Sequence, residues 1–222
     1  MVAMGKGEQT RMAVLAQAAE VAARQGLGAL TIGDLAARTH LSKSGLFAHF
    51  HSKEALQLDV LAYAKDRFVD EVIRPATRAP RGEARVRALF EHWAVIGLNG
   101  HAECLFVSAA AEFDDQPGPV RDQLVRDHRD FMDSIAQMFR TGIAEGEFRP
   151  DADPEQFAFE LHSIMLGYFY AHRLLHDPRA GERTRRAFEA VLAERRVTRA
   201  ATAPAEPETP TLAETPVAAV RS

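Results

Sequence analysis

One cysteine, Cys104, stands in 222 residues. An internal disulfide is therefore impossible, and the chain reads as suited to a reducing cytoplasm. No apolar run reaches the ~18 residues a membrane helix needs; the longest, around "CLFVSAAA" and "SIMLGYFYA", fall far short. The chain does not open on a charged start, apolar core and cleavage site, so nothing points to secretion or to a membrane partner. Alternation of apolar and polar residues over a useful strand length is missing, which leaves an all-α chain. Also missing are an HExxH pair, a nucleophile motif and a glycine-rich phosphate loop after a strand. His172 and His176 lie four apart in "HRLLH", a feasible two-ligand spacing, but no third ligand lies nearby. No metal and no cofactor is expected, and the chain does not read as an enzyme. "EFDD" at 112–115 reads as a solvated helix end.

What is present is ordinary for a globular protein: 46% hydrophobic and 26% charged residues. A net charge of −4 argues against a general nucleic-acid coat. Its distribution says more. Within residues 1–55, Lys6, Arg11, Arg24, Arg38, Lys43 and Lys53 stand against Glu8, Glu20, Asp34 and Glu54, an excess of two positive charges. His40, His49 and His51 fall in the same part. The asymmetry turns the N-terminal end toward an anion.

Helical spacing predicts a first helix over 8–26 with Gly26 as its stop, and a short one opened by Thr31, with Asp34 as capping partner. Ser42 opens another short helix, with Leu46, Phe47 and Phe50 facing inward. Ser52 caps a longer one running to about Ile73, where Pro75 ends it. Five more are expected, roughly over 82–98, 101–113, 118–144, 154–176 and 180–196. The Ala/Thr/Pro/Glu-rich stretch 198–222 has few large apolar side chains and should be disordered, as should a flexible arm at 1–7.

Two short helices joined by a three- to four-residue turn, with Leu41 tucked inward, form a helix-turn-helix arrangement. The second helix carries Ser42, Lys43, Ser44, Gly45, Ala48 and His49 on or near its outer surface. Small residues let a helix approach a groove closely, while Lys and Ser reach base edges and phosphates. Lys53 opens the next helix, where backbone N–H groups already favour a phosphate.

From Val14 to Leu56 the sequence resembles the TetR family of bacterial transcription regulators. The resemblance is carried by "VLAQAAEVAARQG" and by "LTIGDLAARTHLSKSGLFAHFHSKEAL". In the second segment the Leu-aromatic-x-His-Phe-x-Ser-Lys pattern stands as Leu46, Phe47, Ala48, His49, Phe50, His51, Ser52 and Lys53. It implies an N-terminal three-helix helix-turn-helix DNA-binding domain, taken as 8–53. A helical ligand-binding and dimerisation domain follows, taken as 54–197. The implied protein is a homodimeric repressor on a palindromic double-stranded operator, released by a small molecule. By motif position, Thr31, Ser42, Lys43, Ser44, Gly45, Phe47, His49 and Lys53 are the DNA-binding residues. Three positions depart from the family pattern: Phe47 stands where tyrosine is usual, Ile32 replaces a common threonine, and His40 occupies a turn position where glycine is usual.

In the second half, Trp93, Cys104, His128, Phe131, Met165 and Tyr168 are candidate ligand contacts, as apolar faces with a few polar markers. The segment from 154 is apolar nearly all round and needs cover on two sides. Phe157, Leu161, Ile164, Phe188, Val191 and Leu192 are therefore the candidate dimer contacts. One rival reading stays open: a helical small-molecule-binding protein or enzyme that has lost operator binding.

Overall fold

The structure is a computed structural model describing residues 5–98 and 105–197. Its elements are helices α1 (Lys6–Gln25), α2 (Ile32–Thr39), α3 (Lys43–Phe50), α4 (Lys53–Phe68), α5 (Arg74–Arg78), α6 (Glu83–Leu98), α7 (Leu105–Phe113), α8 (Pro119–Ala144), α9 (Pro154–Phe169) and α10 (Ala180–Arg195). No strand forms among the described residues; one isolated bridge pairs Phe148 with Arg196. The all-α expectation holds. Helix α1 begins at Lys6, inside the stretch expected to be an arm, so Gly7 is helical. Residues 1–4 and the tail at 198–222 lie outside the described residues.

Local chemistry fixes the three short connections of the N-terminal half. Thr31, Ser42 and Ser52 each cap the following helix, their hydroxyls accepting from the N–H of Asp34, Gly45 and Ala55 at 3.0 Å. Such caps contribute about 1 kcal/mol each. His40 ends α2 at φ 56°, and His51 ends α3 at φ 58°, the left-handed half of the map in which histidine is enriched among non-glycine residues. At Pro75 the structure differs from expectation. The chain does not stop: a π-helical turn, Val69–Ile73, leads straight into α5. A proline in a regular helix clashes with the carbonyl four residues back and donates nothing. The wider turn, in which Arg74 N–H reaches Val69 O, carries the helix past it. A second π turn, Tyr170–Leu174, extends α9.

Two apolar cores result. The first joins α1–α4 through Leu15, Leu27, Leu35, Leu46, Phe50 and Leu56, and also takes in Leu105 and Phe113 of α7 and Leu124 of α8. The second lies among α5, α6 and α8–α10. Stacked ring pairs fill it, Phe139 on Phe148 at 4.3 Å and Phe90 on Phe188 at 4.0 Å. Gly142 is required there, because a Cβ would lie 2.4 Å from the Phe148 ring. Helix α4 crosses between the cores: Leu56, Val60 and Leu61 belong to the first, and Phe68 packs on the second. The first helix beyond residue 53 thus joins the two cores.

Candidate nucleic-acid interface and adjoining cavity

Helix α3 is held from behind. Leu46 and Phe50 are buried on its inner face, and the Arg11 guanidinium of α1 lies 5.6 Å from the Phe50 ring centre while pairing with Asp59 of α4 at 2.8 Å. Phe47, expected to face inward, points out and is 56% exposed. The reason is angular: positions 46 and 50 share one side of a helix, and 47 is rotated about 100° from the first. Thr31, Ser42, Lys43, Ser44, Phe47 and Lys53 are exposed, and Gly45 and His49 half-exposed. Lys43 runs back over Gly33, whose Cβ position is 3.5 Å from the lysine Cε and 3.8 Å from Thr31 Oγ1. That glycine brings Thr31 and Lys43 together on one face. The arrangement is a protruding helix with a lysine, hydroxyls and an exposed ring, suited to a groove lined by phosphates.

The loop between α1 and α2 is pinned by three side chains from two helices. Lys53 Nζ donates to Gly28 O at 2.5 Å, and Gln57 Nε2 donates to Leu27 O at 3.0 Å, both from α4. From α7 the Glu112 carboxylate accepts from the N–H of Leu27 at 2.8 Å and of Gly28 at 2.7 Å. Sequence reasoning missed this clamp, treating residues 112–115 as solvated. Glu112 is 84 residues from Gly28, and nothing local signals the pairing.

A cavity of about 140 Å³ opens between α4, the first π turn, α6, α7, α8 and α9. Phe68, Trp93 and Phe131 form its aromatic wall, meeting edge to face at 4.9–6.1 Å. At its rim Lys65 Nζ donates to Asp127 at 2.7 Å and Asp130 at 3.2 Å. These bonds, Asp127's first, hold the Lys65 ammonium above its ordinary value against the opposing effect of burial. His128 and His162 lie with ring centres 6.1 Å apart. Burial, then repulsion from His128, pushes the His162 imidazolium below the ordinary range.

Family models match both halves of the chain. Residues 14–60 fit the model described as bacterial regulatory proteins, tetR family. Residues 82–188 fit the Tetracyclin repressor-like, C-terminal domain.

The chain belongs to the TetR family.

It is thus a TetR-family transcriptional regulator, with its helix-turn-helix in α2–α3 and the family's C-terminal helical domain behind it. Solved structures agree in fold. A TetR-family transcriptional regulator from Cytophaga hutchinsonii is 19% identical, with 89% of this chain and 100% of that one covered at a TM-score of 0.78. A TetR transcriptional regulator from Chloroflexus aurantiacus is 26% identical, covering 86% and 96% at 0.73. AibR, solved in complex with isovaleryl coenzyme A and operator DNA, is 22% identical, covering 82% and 96% at 0.64. No curated protein sequence matches the chain.

Of the candidate ligand residues, Trp93, His128 and Phe131 line the cavity. Met165 and Tyr168 do not: both are buried in the second core, where Tyr168 stacks on His172 at 5.5 Å. Cys104 lies outside the described residues. Phe106, another residue of an apolar helical face, also lines the cavity, as do Lys65, Phe68, Asp127 and His162, which were not anticipated; His162, a titratable group within the apolar "FAFELHSIML", was the available signal. The dimer candidates need correction. Phe157, Leu161, Phe188 and Leu192 are at most 1% exposed within a single chain, so its own helices already cover them. Val191 and Ile164 are half-buried. Among the described residues no group of three or more His, Cys, Asp or Glu side chains is placed to hold a metal. Nor is any helix long and apolar enough to cross a membrane.

Proposed function

We propose that the protein is a homodimeric repressor that holds a palindromic operator through α3 and lets go when a small molecule occupies the cavity. The DNA-binding unit is α1–α3 with the start of α4, and the remaining helices bind ligand and a second copy. One observation carries this reading. Helices α4 and α7 both line the cavity, through Lys65 and Phe68 and through Phe106 and Val107. The same two helices pin the loop that feeds α2, through Lys53, Gln57 and Glu112. A guest that displaces α4 or α7 thereby shifts the platform of the reading helix. That coupling is reciprocal, so operator binding must weaken ligand binding by the same factor.

The dimer reading is supported by an exposed stripe on α9 and its π turn. Phe159, Leu166, Tyr170 and Leu174 recur at helical spacing, all open to solvent in the single chain, with Ser163 and Gly167 exposed between them. A helix buried on one side and apolar on the other needs a partner, and a second copy supplies one by symmetry.

The test is selection from random-sequence DNA by the purified protein at near-physiological salt. A palindrome with half-sites about one helical turn apart, ~34–36 Å, is the expected result. No enrichment, with Lys43→Ala indistinguishable from wild type, overturns the reading in favour of a ligand-binding protein without an operator.

A further inference from the structure

We propose that the cavity takes a compact, uncharged aromatic molecule of one ring carrying a hydroxyl group. The inference rests on the reading of this cavity as the ligand site and adds the chemistry of the guest.

Size comes first. At about 140 Å³ the space is close to that of apolar cavities that admit a benzene ring, ~150 Å³. Shape agrees: Phe68, Trp93 and Phe131 already meet edge to face, at interplanar angles of 80–89°. A further ring extends the same edge-to-face arrangement, which adds about 0.5–1.5 kcal/mol per pair beyond area burial.

Charge excludes the alternatives. Lys65, the cation among the described lining residues, is occupied by Asp127 and Asp130, so among those residues an anionic guest meets two carboxylates and no uncommitted ammonium. A cationic guest fares no better. Asp127, 5% exposed in its side chain, already accepts from Lys65 at 2.7 Å and from Gln123 at 3.0 Å. An anion would lose its water without a new counter-charge, and the one carboxylate a cation could still reach, Asp130, is 68% exposed and lies at the wet rim rather than among the rings.

The polar groups left over include two imidazoles, both lining the cavity with ring centres 6.1 Å apart. His128 uses Nδ1 on Leu124 O at 2.8 Å, and among the described residues neither its other nitrogen nor His162 makes a hydrogen bond. A hydroxyl, which both donates and accepts, suits this pair of rings.

Trp93 is the sole tryptophan of the chain, so its emission reports on this cavity directly. The experiment titrates full-length protein, without DNA, with phenol, benzoate and benzylammonium, exciting at the red edge of tryptophan absorption. Expected is a saturable change with phenol at an affinity about ten-fold or more above either ion, given the cost of burying charge. Val107→Phe or Ser134→Leu, filling the space from two different helices, should each abolish it while the circular dichroism melt stays cooperative. Two variants are used so that one failing to fold still leaves the test. Tighter binding of an ion, no binding of phenol, or phenol binding untouched by a folded filling variant would overturn the proposal. The readout needs no operator. Phenol binding without DNA selection sinks the regulatory reading alone, and a recovered palindrome without phenol binding sinks the guest assignment alone.

Discussion

The carboxylate of Glu112 on α7 lies 2.7 Å from the backbone N–H of Gly28, in the loop before α2. Its other oxygen holds the N–H of Leu27 at 2.8 Å. One side chain of the C-terminal half thus satisfies two consecutive backbone donors of the reading unit. Hydrogen bonds to an ionised acceptor are the strong kind, about twice a neutral pair.

Glu112→Ala leaves both donors without a partner, and stability should fall by about 1–3 kcal/mol. Gly28→Ala should act on the same contact from the other side. Its Cβ would sit 2.3 Å from Glu112 Oε1, and its φ lies outside the left-handed region, so alanine carries no backbone strain of its own. Chemical denaturation of both single variants and the double should show strong non-additivity. Additive effects would mean the two positions do not share one contact.

Lys53, at the start of α4, holds Gly28 O, and we propose, from its motif position, that it also meets a phosphate. Lys53→Ala should lower affinity for specific and random duplex alike and reduce the salt slope by about one. An unchanged slope measured by fluorescence anisotropy would remove it from the interface.

His162 gives a pH dependence of stability. Burial first, then the facing His128, lowers its folded-state value below the ordinary 6.5; among the described residues the other charged groups lining the cavity are Lys65, Asp127 and Asp130. As pH falls through 6.5 the unfolded chain takes up a proton that the folded chain refuses. Stability is therefore full above that pH and is lost as pH falls toward the folded value. His162→Gln should flatten the decline between pH 7 and 5 in thermal melts, relative to wild type. An identical pH profile in the variant would exclude His162 as its source.

The α9 stripe is tested by charge. Leu166→Asp with Tyr170→Asp places two carboxylates on exposed positions, so the single chain should fold unaffected while a dimer dissociates in sedimentation. Operator affinity should drop with it, since a single reading unit engages one half-site. A dimer that survives both changes lies on another surface.

Much of the N-terminal half was legible because its signals are local. Thr31, Ser42 and Ser52 each cap a helix three residues or fewer from the group they satisfy, and the turn at His40 takes the positive φ its position implies. Phe47 escaped because two apolar neighbours, Leu46 and Phe50, define a face only one residue wide in so short a helix. In the second half composition identifies apolar helices but not their orientation. On α9 and its π turn, Phe157, Leu161 and Met165 turn into the core while Phe159, Leu166 and Tyr170 turn out, and all six look alike in sequence. Trp93, His128 and Phe131 were found by chemistry; Lys65 and Asp127 join them only through packing, while His162 left a signal in its apolar surroundings. The Glu112 clamp depends wholly on the approach of α7 to the first core, which no spacing encodes.

The most direct test of the central claim is a titration of the selected palindrome and a scrambled duplex of equal length at near-physiological salt, with wild type and Lys43→Ala. Wild type should prefer the palindrome by about 10³-fold or more, and Lys43→Ala should lose much of that preference. Equal affinity of wild type for both duplexes would contradict it.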